Sequence, residues 1–163
     1  MSFPEFKNQA GLFQKNVTLS NIIKLYEDIA NANTYIQDVT FGDIFEIDLK
    51  ETNYALSHLS IENARFTNHE LTYSLSLYVM DLVSPDEGNE NDVLSDTLQV
   101  IGDFISQFKH STAFGDMEND FRFSDDVPCT PFTERFDNDV SGWRADFEVI
   151  VSFNASACDT DIM

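Results

Sequence analysis

At 163 residues, with 42% hydrophobic composition and fifteen phenylalanines, the chain holds enough apolar side chain to fill the core of one domain. Nine Lys plus Arg stand against 29 Asp plus Glu, a formal charge of −20 that opposes binding to phosphate backbones and leaves no basic stripe to overcome the repulsion. No apolar run approaches the roughly 20 residues of a membrane helix, and the opening MSFPEFKNQAG lacks the order of a signal peptide, so the expectation is a soluble protein made in a cytoplasm, with no membrane partner.

The charge has two readings, a solvated acidic surface or an acidic wall past which a polyanion slides without sticking. Cys129 and Cys158 are too few for a disulfide framework and lack zinc-ligand spacing, so they read as reduced thiols without a role.

Residues 1–16 mix Phe3, Phe6, Leu12 and Phe13 with Pro4 and Gly11 and show no period. They read as an N-terminal arm that docks through its aromatics, on its own domain or on a neighbouring subunit. Residues 17–153 read as one domain. Within it Leu19, Ile22, Ile23, Tyr26, Ile29 and Ala30 form a helical stripe, with Thr18 as N-cap and Asn31 and Asn33 marking the exit. A loop containing Gly42 follows. Residues 43–49 (DIFEIDL) then alternate like a short strand near a sheet edge.

Residues 70–81 (ELTYSLSLYVMD) set Leu71, Tyr73, Leu75, Leu77 and Val79 against Thr72, Ser74, Ser76, Tyr78 and Met80. That is the period-two signature of a central strand with one buried face and one largely polar face. The weaker strand of 54–66 is its hairpin partner, through the turn residues Thr67, Asn68 and His69. Residues 84–91 (SPDEGNEN) read as an exposed loop. From Asp92, a cap by residue type, Val93, Leu94, Thr97, Leu98, Ile101, Phe104, Ile105 and Phe108 trace a second helix to Lys109, expected on the same sheet face as the first.

Residues 110–127 are the least regular stretch, with Phe114, Phe121 and Phe123 among five acids, and Phe121 and Phe123 forming a short strand. Past Pro128, Cys129 and Pro131, alternation resumes at Phe132, Glu134 and Phe136. Residues 137–142 (DNDVSG) then turn the chain into a strand over 143–153, completing a second hairpin. That strand puts Trp143, Ala145, Phe147, Val149, Val151 and Phe153 on one face and Arg144, Asp146, Glu148 and Ser152 on the other. Residues 154–163 read as a loose acidic tail. The order predicts an α+β fold, a mainly antiparallel sheet with two helices packed on one face.

Few patterns announce chemistry. The sequence has no glycine-rich phosphate loop, no GxSxG and no HExxH, and His58, His69 and His110 are far apart. His58, inside a predicted strand, reads as a hydrogen-bonded structural histidine. Asp48-Leu49-Lys50 has the acid-x-lysine spacing of metal-dependent nucleases, with Asp43 and Glu46 on the same strand. The only Pro-Asp pair, Pro85-Asp86, follows it in a loop, and the negative charge opposes a DNA substrate. The acids of 86–92 lack EF-hand spacing. The expectation is a non-enzyme without cofactor or metal.

The stretches FGDIFEIDL, YALSHLSI, LTYSLSLYVMD, DTLQVIGDFISQF and GWRADFEVIVSF, in this order over 18–153, resemble the tail-terminator or tail-completion (neck ring) proteins of tailed bacteriophages. The long 110–128 segment and the acidic tail depart from a simple terminator toward the neck ring of a podovirus or crAss-like phage. The resemblance implies a virion component: a homo-oligomeric ring joining portal or adaptor to tail around the DNA channel, with no catalytic residues and no specific DNA binding. Its natural contact elements are the arm (Phe3, Phe6, Phe13), the 84–91 loop (Asp86, Glu87) and the irregular stretch (Phe114, Phe121, Phe123). The competing readings are a soluble acidic binding or inhibitory module of DNA-mimic type and, less favoured, the nuclease.

Overall fold

Thr18 starts the first helix as its residue type predicts. In the computed structural model, which describes residues 18–43, 52–86, 88–111, 121–135 and 139–153, helix α1 runs Leu19–Ala32. The Thr18 hydroxyl accepts from the Asn21 N–H at 3.2 Å, and the Asn21 side-chain oxygen accepts from the Thr18 N–H at 2.9 Å. This capping box satisfies two amides that helix geometry leaves without partners. Ile22, Leu25, Tyr26, Ile29 and Ala30 form the buried stripe, and Asn33 closes the helix.

The described residues also hold strands β1 (Asp38–Phe41), β2 (Leu56–Phe66), β3 (Glu70–Leu82), β4 (Phe121–Phe123), β5 (Cys129–Arg135) and β6 (Asp139–Ser152), and helix α2 (Glu90–Lys109) between β3 and β4. The sheet runs β1-β2-β3-β6, with β4 and β5 along the far edge of β6. The β2–β3 hairpin turns at 67–69 as expected, and β3 and β6 pair antiparallel without a break from Glu70↔Ser152 to Leu82↔Val140. Such a ladder sets which side chains meet, because a one-residue slip would turn the whole buried row toward water.

Four expectations are corrected. The strand beside β2 is Asp38–Phe41, within the stretch read as a loop, and it pairs parallel, Asp38↔Leu56 to Phe41↔Leu59. Asp43 is not in a strand, and the rest of the expected strand, 44–49, lies outside the described residues. Four residues are too few to show a period, so only pairing with β2 reveals β1. Strand β6 begins at Asp139 rather than Trp143, and Gly142 is a strand residue. A Cβ at Gly142 would lie 2.0 Å from the Val79 carbonyl oxygen, so glycine there serves close strand approach and not a turn. Helix α2 starts two residues before Asp92. Asn89 occupies the N-cap without a side-chain bond to the helix, because its Oδ1 accepts from the Ser84 N–H at 2.7 Å. Leu98 is 40% exposed, and Val100 takes the buried position instead.

Both helices pack on the face carrying Tyr73, Leu75, Leu77 and Val79 of β3 and Ala145, Phe147, Val149 and Val151 of β6. The rings of Tyr26 and Phe104 stack at 5.9 Å, and Phe108 meets Phe147 at 5.6 Å. Burying a ring such as Phe104 stabilises by roughly 1.5–3 kcal/mol relative to leaving it exposed. The first turn of α2 is fastened to the sheet by polar bonds. Glu90 accepts from the Thr133 hydroxyl at 3.2 Å and the Ser141 hydroxyl at 3.1 Å, and the Trp143 indole N–H donates to the Leu94 carbonyl at 2.8 Å. The fold is α+β, with a mostly antiparallel mixed sheet and two helices. No helix of the described residues is long and apolar enough to cross a membrane.

Candidate functional site

The sheet face away from the helices carries the polar parity of every long strand. One end is apolar, a small cluster of Leu56, Met80 and Val140 with Tyr78 and Phe132 packed against it. Toward the middle, register brings serines opposite acids. The Ser76 hydroxyl donates to Asp146 Oδ1 at 2.6 Å, Arg144 Nε donates to the same oxygen at 2.8 Å, and the Ser60 hydroxyl donates to Glu62 Oε2 at 2.8 Å. The Asp146 carboxylate raises the already high affinity of the Arg144 guanidinium for its proton. That guanidinium also lies 5.9 Å from the centre of the Tyr78 ring, within cation–π range.

The segment between β4 and β5 forms the rim of this face. The Ser124 N–H donates to the Glu148 carbonyl at 3.0 Å, the Glu148 N–H donates to the Ser124 hydroxyl at 3.1 Å, and the Asp146 N–H donates to the Pro128 carbonyl at 3.1 Å. Rim and sheet enclose a groove of about 380 Å³ lined by Glu62, Ser74, Asp126, Arg144, Asp146 and Glu148. Four carboxylates and one guanidinium line it. The local field is therefore negative, and a phosphate approaching it is repelled.

His58 lies on the same face at its β1 edge, buried to 1% exposure. Its Nε2 is 2.9 Å from the Gly42 carbonyl, which can only accept, so Nε2 carries the proton; Nδ1 then accepts from the Thr40 hydroxyl at 2.6 Å. Burial pushes its pKa below the ordinary 6.5, against smaller opposing effects of the Gly42 bond and the Asp43 charge. This is the structural histidine the sequence predicts, pinning β1 to β2.

Of the predicted contact residues, Asp86 and the Phe123 side chain are described, and they lie apart. Asp86 is exposed in the loop after β3, where the Gly88 N–H at 3.0 Å and the Ser84 hydroxyl at 2.7 Å hold its carboxyl below the usual range. Phe123 sits at the other end of β6, opposite Val149. Its ring stacks on Phe147 at 4.9 Å and on Phe108 at 5.7 Å, half-buried against the core. Phe121 pairs with Val151 through its backbone, and its side chain is outside the described residues, as are Phe3, Phe6, Phe13, Glu87 and Phe114. The nuclease-like Asp48 and Lys50, and Cys158, also lie outside them. Among the described residues, no group of three His, Cys, Asp or Glu side chains is placed to hold a metal ion.

Sequence reasoning assigned Arg144, Asp146, Glu148, Ser74 and Ser76 to polar strand faces without recognising them as one surface. Their shared parity was the available signal. The sequence matches no protein-family model, and no curated protein aligns with it.

Proposed function

We propose that the chain is a structural protein of a tailed bacteriophage particle. In this reading copies close into a ring at the neck or tail, joining portal or adaptor to tail proteins around the channel through which DNA leaves, and perform no chemistry. The observation that carries the reading is the acid-lined open face, whose groove is lined by Glu62, Asp126, Asp146 and Glu148 with Arg144 as its one cation. Added to a formal charge of −20, it makes a wall that DNA would pass without adhering. The two sheet edges support it too: among the described residues β1 forms one edge and β4 with β5 the other. Unlike edges suit a head-to-tail contact, which closes into a ring when the rotation permits.

The test is the assembly state. Light scattering after size exclusion, on the chain alone and mixed with portal, adaptor and tail proteins of the same particle, should reveal a closed oligomer in at least one mixture. A monomer in every mixture would refute the ring. Capture of a basic nucleic-acid-binding protein in place of virion proteins would favour the acidic inhibitory module instead.

A further inference from the structure

Three contacts give α1 a direction over the sheet. The Tyr73 hydroxyl neighbours the backbone of Leu19, the Tyr26 hydroxyl lies 2.9 Å from the Ser57 hydroxyl, and the Tyr35 hydroxyl donates to Asp81 at 2.6 Å. Ser57 pairs with Val79, so the helix travels along β3 from Tyr73 toward Asp81. The N-terminal end of α1 at Thr18 therefore lies at the Tyr73 end of β3, on the side of the β2–β3 turn.

That end of the helix-side face is apolar and poorly covered. Phe66 pairs with Leu71 and meets the Phe153 ring edge-on at 4.9 Å, yet it remains 63% exposed, the most exposed large apolar side chain among the described residues. Leu71 is half-buried beside it.

We propose that Phe66, Leu71 and Phe153 seat the aromatic stretch of the chain's own N-terminal segment, with Phe13 as the leading ring. Phe13 precedes Thr18 by five residues, up to about 17 Å of extended chain. The step from Tyr73 to Leu71 is only two strand residues, about 7 Å. Phe3 and Phe6 add further rings on the same segment. A link this short makes the segment's effective concentration at the patch of millimolar order, which favours it over a second copy in dilute solution. An aromatic ring also suits the site, since edge-on ring pairs add to simple burial.

Two amides report on this end: the Thr67 N–H donates to the Glu70 carbonyl and the Phe153 N–H to the His69 carbonyl, each at 2.8 Å. Their hydrogen exchange would be measured on the full chain and on Phe13→Ala, Phe66→Ala and the double variant, with mass followed by light scattering through a dilution series. Phe66 lies off the buried core, and exchange at Val149 serves as the control for folding in every variant. Each single change should quicken exchange at Thr67 and Phe153 about 5-fold or more, the double variant no further than Phe66→Ala alone, and dilution should alter nothing. Unchanged exchange in Phe13→Ala, or additive effects in the double variant, would overturn the proposal. Protection that falls on dilution together with the mass would assign the patch to another copy's segment and equally overturn it. Ring formation is read from mass and segment seating from exchange, so either can fail without the other.

Discussion

His58 and Thr40 are joined across the one parallel strand pair among the described residues, imidazole Nδ1 to hydroxyl at 2.6 Å, in the register Thr40↔His58. The histidine thereby does what four residues of β1 cannot do by themselves: it fixes a short edge strand in place through a side chain of its neighbour. A buried imidazole that accepts from a hydroxyl and donates to a carbonyl is complete only when neutral.

Acid should loosen this joint. The folded pKa of His58 lies below the ordinary 6.5, so its contribution to stability is fully present above about 6.5 and is lost as pH falls through that value toward the folded pKa. His58→Gln keeps a donor and an acceptor but cannot be protonated. Between about pH 8 and about pH 5, Tm of the wild type should fall relative to that of the variant, while relief of repulsion among the acids affects both equally. An NMR titration placing the His58 midpoint above 6.5 would contradict this.

Gly142 should not tolerate a side chain. An added Cβ would lie 2.0 Å from the Val79 carbonyl oxygen and 2.8 Å from Met80 Cα, both backbone atoms that cannot move without breaking the β3–β6 ladder. Gly142→Ala is expected to cost about 3 kcal/mol or more. For a chain of this size that lowers Tm by roughly 6–12 °C, readable by differential scanning calorimetry.

Gly102 should behave in the opposite way. It is exposed within α2, and a Cβ there meets nothing within 4 Å. Gly102→Ala removes backbone freedom from the unfolded chain without a clash, so it should stabilise by about 0.5–1 kcal/mol in denaturant unfolding.

The open face should govern how the protein meets DNA. Wild-type protein is expected to leave duplex DNA unretarded in a gel at low salt. Replacing Glu62 and Glu148 with Lys spares the Asp146–Arg144 pair and makes the groove positive, and the variant should retard DNA with a steep salt dependence. Retention by the wild type would count against the acidic wall.

Much of this architecture was legible one element at a time. Thr18 marked the start of α1, and the parity of Leu71 to Val79 and of Ala145 to Val151 named the buried rows of β3 and β6 before any partner was known. The candidate site was legible only in halves. Ser76 and Asp146 each showed a polar strand face, but nothing in either strand says that position 76 stands opposite 146. Gly142 misled because turn and close approach favour the same residue, and the physical reason for it lies in Val79, more than sixty residues away.

Composition and period by themselves determined that this is an acidic α+β chain with two amphipathic helices and alternating strands, since side-chain spacing reports which face a residue occupies whatever its neighbours are. The tertiary structure alone decided that β1 lies parallel against β2, that β4 and β5 share one edge of β6, and that four carboxylates and Arg144 line one groove. Those outcomes depend on strand register and on contacts between distant segments, where hydrogen-bond ladders and buried rings must be satisfied together, and no single stretch of sequence carries that information.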